Sequence, residues 1–221
     1  MVGFSAAAIN FKEQLSAYEL FRSIYLLRPV EFSALRESEF DLILDLFLSL
    51  NPTNASFHAP SKYENEKHIV NRLKSVRSLN SPIILHPDAI IDYTLWQDFD
   101  NLLLENMDFR KAPRSVDEMS KYFELLPKSN WCFDVAHSKG ISDELGFDLL
   151  KNFKDKLKKI HISKLRPCSA VHECLDEDTL AYYKTLNLPQ TTVIIESPVD
   201  FNKNAVIKEL EYVNQIYPNC S

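Results

Sequence analysis

Three glycines in 221 residues are too few for a glycine-rich phosphate loop, which excludes the nucleotide-binding folds built on one. The four cysteines, Cys132, Cys168, Cys174 and Cys220, show no C-x-x-C spacing. They read as reduced thiols of a cytoplasmic protein. Cys168 and Cys174, close together in one loop, are the one pair placed to bridge or to hold a metal. No apolar run approaches the roughly 20 residues of a membrane span. Met1-Val2-Gly3-Phe4 enters a strand-like run directly, without the pattern of a signal peptide. Basic excess is missing too. A formal net charge of −6 and a pI near 5.5 argue against a nucleic-acid-binding face.

What is present is an ordinary globular balance, 45% hydrophobic and 25% charged, which suffices to bury a normal core. No linker or compositional break interrupts it, so residues 1–221 read as one domain. Strand-like and helix-like periods alternate along the chain. Strands are expected over 2–6, 30–34, 55–59, 82–86, 101–105, 131–134, 158–162 and 191–196. Helices are expected over 11–27, 38–50, 65–79, 93–99, 115–126, 146–156, 176–185 and 205–217. Ser115 and Glu118 stand in capping-box spacing.

The strands are nearly continuous apolar runs, as strands covered on both faces must be. Eight such units joined by right-handed crossovers point to an α/β fold, a (β/α)8 TIM barrel. At 221 residues, against about 250 for the usual barrel, it is compact and its loops are short.

Six of the runs end on a metal-ligand type of residue: His58, His86, Glu105, Asp134, His161 and Glu196. In a parallel barrel the C-terminal ends of the strands gather at one rim, where function resides. His137 follows Asp134 by three residues, and His172 lies in the loop after the seventh strand. Taken singly, a strand-end histidine is usually a hydrogen-bonding residue. Burying all of these groups around one rim without a cation would be very costly. Carboxylates with imidazoles suit Mn2+ or Zn2+, with Fe2+, Co2+ and Mg2+ as alternatives, and the donors suffice for one to three ions. Glu31 has two readings, into the barrel mouth or into solvent. Phe57, Trp131 and Phe133 read as core, and His68 as surface.

The strings Phe57-His58-Ala59-Pro60, Ile84-Leu85-His86-Pro87, Leu103-Leu104-Glu105-Asn106, Phe133-Asp134-Val135-Ala136-His137, Lys159-Ile160-His161-Ile162 and Ile194-Ile195-Glu196-Ser197-Pro198 carry a resemblance. In that order they resemble the xylose-isomerase-like barrel superfamily, which includes sugar-phosphate isomerases and epimerases and the endonuclease IV nucleases. Resemblance to the ketose epimerases implies one divalent ion held by Glu105, Asp134, His161 and Glu196. The two glutamates would then be the catalytic acid/base pair, with His137, Arg166 and Lys164 as substrate contacts. Resemblance to endonuclease IV implies a zinc centre of up to three ions on His58, His86, Glu105, Asp134, His137, His161, His172 and Glu196. A further aspartate of that family is replaced here by Ala170, which would leave the third ion with His137 and His172 only.

The leading expectation is a metal-dependent sugar or sugar-phosphate isomerase/epimerase working by metal-assisted proton transfer. The alternative is an endonuclease IV-like zinc phosphodiesterase. Less favoured are a multinuclear iron oxidative enzyme and a barrel that has lost catalysis. A small sugar or sugar phosphate is the expected partner, with nucleic acid and membrane disfavoured. The resemblance also brings in a homodimer, a common state in that superfamily. Lys139, Lys164 and Arg166 are the basic residues expected near the ligands.

Overall fold

The computed structural model describes residues 1–166, 169 and 171–217. The chain begins β1 (Val2–Ser5), α1 (Ala6–Asn10), α2 (Gln14–Ile24), β2 (Val30–Ser33), α3 (Glu37–Leu50), β3 (Ala55–His58) and α4 (Glu66–Ser78). It continues with β4 (Ile83–Leu85), β5 (Leu102–Glu105), α5 (Val116–Leu125), β6 (Asn130–Asp134), α6 (Val135–Lys139) and α7 (Leu145–Phe153). It closes with β7 (Leu157–Ile162), a small hairpin of β8 (Lys164–Leu165) and β9 (His172–Glu173), α8 (Glu177–Thr185), β10 (Thr192–Ile195) and α9 (Lys203–Ile216).

Eight strands close into a parallel barrel in the order β1-β10-β7-β6-β5-β4-β3-β2, a (β/α)8 barrel. Alternation along each strand sends successive side chains to opposite sides. The outward set packs under the helices. Phe4 meets Phe21 of α2, Phe32 meets Phe47 of α3, and Phe57 meets both Phe40 and Phe47. Trp131 stacks beside Phe133 and against Phe153 of α7. Phe57, Trp131 and Phe133 are fully buried core, as their alternation implied. Truncating any of these aromatics to alanine is expected to cost about 3–5 kcal/mol.

The elements depart from expectation in several places, among them the short helix α6 directly after β6. The 11–27 helix is shortened to α2, and a separate short helix, α1, precedes it directly after β1. The Asn10 side chain accepts the Glu13 N–H at the break, and the Arg22 guanidinium binds the Leu26 and Arg28 carbonyls, turning the chain out after Ile24. The 93–99 helix shrinks to a 3-10 turn, Tyr93–Leu95, whose first amide is capped by Asp92. The hairpin of β8 and β9 was not anticipated. Elsewhere the local signals hold: Ser115 Oγ accepts the Glu118 N–H at 3.2 Å, opening α5. Gly3 is required where β1 meets the turn into β2, because a Cβ there would lie 1.8 Å from the Pro29 carbonyl oxygen.

Candidate metal centre

The inward residues are i and i+2 on each strand. On β3 these are Ser56 and His58, on β5 Leu103 and Glu105, on β6 Cys132 and Asp134, and on β7 Lys159 and His161. His86 and Glu196 are the residues directly after β4 and β10. Ile84, Leu103 and Cys132, each two positions before a candidate ligand, form a small buried cluster apart from the main core. Burial pushes the Cys132 thiol up to about 12, which keeps it protonated.

Glu105 is the hub. Its Oε2 lies 3.0 Å from His58 Nε2 and 3.1 Å from His86 Nε2. Its Oε1 lies 3.1 Å from His161 Nδ1. The same His161 nitrogen is 3.4 Å from Glu196 Oε1, and Glu196 Oε2 is 3.8 Å from His172 Nδ1. His137 Nδ1 is 3.5 Å from Asp134 Oδ2, while its backbone N–H donates to Asp134 Oδ1 at 2.7 Å. Asn106 fixes this corner. Its Oδ1 accepts the Asp134 N–H at 3.0 Å and the Trp131 indole N–H at 3.3 Å, and its Nδ2 donates to the Asp134 carbonyl. His172 is held by Ser163 Oγ at 2.6 Å, and the carbonyl of Ser163 accepts the hydroxyl of Tyr183.

Three groups of donors result: His58, His86 and Glu105; Glu105, Asp134, His161 and Glu196; and Asp134, His137 and His172. Within each group the ligand atoms lie within 4.8 Å of one another. All eight residues singled out as ligands in the sequence are therefore brought together. Glu105 belongs to two groups and Asp134 to two, so the three are chained. The third group is not reduced to imidazoles: Asp134 supplies it a carboxylate. Ala170 itself lies outside the described residues.

Known structures share this architecture. Endonuclease IV from Thermus thermophilus aligns with a TM-score of 0.65 at 16% identity, covering 99% of this chain and 99% of that chain. D-psicose 3-epimerase from Clostridium cellulolyticum gives 0.64 at 11% identity, covering 98% of each chain. An AP endonuclease, family 2, from Brucella melitensis gives 0.58 at 11% identity, covering 96% of this chain and 98% of that chain. The fold these structures share with this chain is the (β/α)8 barrel. No family model matches the sequence, and no curated protein does.

The barrel mouth is electrostatically one object. Burial works to raise the Glu105 carboxyl, but His161, His58 and His86 outweigh it and hold Glu105 well below the usual range. Burial raises Asp134 to about 6 and also raises Glu196. Burial opposes the charge on His58, His137 and His161, yet neighbouring carboxylates leave all three raised. Burial wins at His86, lowered to about 4, and also lowers His172.

The donors fit divalent cations. Glu31, Glu105, Asp134 and Glu196 place four carboxylates in or at the mouth of the barrel, against the ammonium groups of Lys159, on Glu31, and Lys111, 3.5 Å from His86 Nδ1. Asp134 Oδ2 is buried without a hydrogen-bond partner. A carboxylate oxygen left so is costly unless something positive meets it. Oxygen and imidazole nitrogen together suit zinc, manganese, iron or cobalt.

Two inward residues lie beneath the candidate ligands, Glu31 with two sequence readings and Lys159 with none. Glu31 is fully buried inside the barrel, which settles its two readings. Lys159 Nζ reaches Glu31 Oε2 at 3.0 Å and donates to Ser56 Oγ. Lys159 stands in a lysine pair, Lys158-Lys159, that looks like a solvated strand start; only its i−2 spacing from His161 marks it.

The basic residues expected near the ligands go elsewhere. Arg166 pairs with Glu173 across the hairpin at 2.5 Å, and its side chain is 72% exposed. Lys164 is taken by Asp176, the N-cap of α8, at 2.5 Å. Lys139 pairs with Asp143 and lies over the Tyr182 ring. His68 is a surface residue bound to Asp41 at 2.9 Å. Of the Cys168–Cys174 pair, Cys168 lies outside the described residues, as does Cys220. Cys174 Sγ donates to the Pro198 carbonyl. No helix among the described residues is long and apolar enough to cross a membrane.

Proposed function

We propose that the barrel mouth is a multinuclear divalent-metal centre that hydrolyses phosphate esters. The carrying observation is Glu105. Both of its oxygens are committed to imidazoles, Oε2 to His58 and His86, Oε1 to His161. Its side chain is 2% exposed. A carboxylate held in this way suits a bridge between two ions better than a free acid/base on a sugar carbon. The likeness to endonuclease IV and to an AP endonuclease accords with this reading.

His58, His86 and Glu105 would hold one ion, and Glu105, Asp134, His161 and Glu196 a second. Asp134, His137 and His172 offer a third place. Divalent ions there supply Lewis-acid polarisation of a phosphoryl oxygen and make water more acidic. The chain's own residues do the rest. Asn106 and the His137 amide fix the Asp134 carboxylate. Glu196, 17% exposed, is the most open carboxylate of the second group. That opening places it to take a proton from an attacking water. The net charge of −6 and the pairing of Lys139, Lys164 and Arg166 with carboxylates favour a small phosphoester over duplex DNA.

A second reading, sugar epimerisation, is favoured by the likeness to D-psicose 3-epimerase. It needs Glu105 and Glu196 on opposite faces of one carbon, with one ion. Elemental analysis of protein purified without added metal, followed by parallel assays, separates the two. The zinc form is tested on bis(4-nitrophenyl) phosphate and an abasic oligonucleotide, and the manganese form on ketohexoses. Two or more ions per chain with phosphodiester turnover, abolished in Glu196→Gln, is expected. One ion per chain with ketose epimerisation alone would overturn the hydrolase.

A further inference from the structure

Beneath the candidate ligands lies a buried polar group that a barrel interior does not ordinarily contain. Such interiors are filled by Val, Ile and Leu. Here Glu31 of β2, Ser56 of β3 and Lys159 of β7 meet inside the barrel, all nearly or fully inaccessible. Ser56 Oγ donates to Glu31 Oε2 at 2.7 Å, and Lys159 Nζ lies 3.0 Å from the same oxygen. Stability does not account for them, since replacing a buried ion pair by well-packed apolar residues is often neutral or stabilising.

The free oxygen of Glu31 says what the group does. Oε1 lies 3.1 Å from His161 Nε2. Both atoms are buried, and neither has a hydrogen-bond partner: they face each other at close range without the alignment of a formed hydrogen bond. The other ring nitrogen of His161, Nδ1, faces Glu105 Oε1 and Glu196 Oε1 at 3.1 and 3.4 Å. One nitrogen of the ring thus points down to a carboxylate and the other up to the second donor group. Lys159 and His161 are i and i+2 on one strand, so β7 sets the height of both.

We propose that Glu31, anchored by Lys159 and Ser56, is the positioning residue of the centre: it receives the His161 Nε2 proton and so presents Nδ1 as the ligand atom. The inference rests on the reading of the mouth as a metal centre. Histidine ligands commonly depend on such an outer carboxylate, and its loss costs about 10–100-fold in metal affinity. Ser56 and Lys159 hold Glu31 Oε2, which leaves Oε1 aimed at the ring.

The test begins with the unaltered chain, loaded with zinc alone. Long-range 1H–15N spectra of the histidine rings report the protonated nitrogen, and through-space contacts to Lys159 identify His161. Zinc on Nδ1 with the proton on Nε2 is expected; zinc on Nε2 overturns the proposal. The double variant Glu31→Gln with Lys159→Met keeps the interior neutral and guards against misfolding. With its melting curve and circular dichroism as in the parent, it should bind zinc at the second donor group about 10–100-fold more weakly. Its His161 ring should also lose the single-tautomer signature. Parental zinc affinity with a parental ring spectrum in the double variant would overturn the proposal. If the variant does not fold, the wild-type spectrum decides. A wild-type chain that takes up no zinc overturns the metal centre itself and this inference with it. A chain that binds zinc without the expected tautomer overturns only the inference.

Discussion

Replacing Glu105 by glutamine tests the bridge directly, because it changes charge and donor pattern at nearly constant volume. The carboxylate offers acceptors in two directions, Oε2 toward His58 and His86 and Oε1 toward His161. An amide has one acceptor. Whichever way it is placed, its N–H groups face one set of imidazoles and its neutral oxygen faces the other. One group therefore loses the Glu105 ligand outright, and the other keeps a weaker one. Each ion should lose at least the roughly 10–100-fold that removal of an outer-shell partner costs. That is about 1.4–2.8 kcal/mol per ion. His172→Ala is the control, since His172 belongs to the third group only. Zinc competition against a chromophoric chelator, with elemental analysis after gel filtration, reads affinity and stoichiometry together. Glu105→Gln should weaken two ions at once, and His172→Ala one at most. A Glu105→Gln chain that loses one ion and keeps the other at parental affinity would refute the shared ligand.

Chelation should lower thermal stability. An ion present at about a thousand times its dissociation constant adds about 4 kcal/mol. For a chain of this size that is about 8–16 °C in melting midpoint per ion, read by scanning calorimetry with and without EDTA; coincident curves would count against the centre. Zinc uptake near neutral pH should release protons. His58, His137 and His161 are held above the usual imidazole range by their carboxylate neighbours and so keep a proton more readily in the metal-free chain, whereas coordination needs them neutral. Affinity should accordingly rise with pH until those rings have discharged. Calorimetric titration in buffers of different ionisation enthalpy measures the release, and heats independent of buffer would contradict it.

The barrel was legible because its outward residues are apolar without interruption, and the strand-end groups because each closes such a run. Six strand-ending ligands, with His137 and His172, all reach one place. What the sequence concealed was whatever depends on partners across the barrel. Glu31 and Lys159 come from strands that are not neighbours in the sheet; alone, Lys159 looks like a surface charge and Glu31 fits the barrel mouth or solvent equally. The same blindness led to the opposite error at Arg166 and Lys164. Their position beside the rim was read correctly, but Glu173 and Asp176, on segments that local patterns did not join to them, claim both side chains. The helix expected at 93–99 failed for one local and one distant reason: Asp92 caps one turn only, and Trp96 is drawn inward to donate its indole N–H to Glu66.

The continuous apolar layer between the strands' outer faces and the helices has a consequence for how this protein can change. Cohesion resides there, in a shell that the inner side chains hardly enter. The inside of the cylinder is thereby released from the duty of holding it together. Donors facing the axis can be exchanged, added or lost by single replacements at alternate positions while the scaffold endures, so related chains can diverge in chemistry long before they diverge in shape.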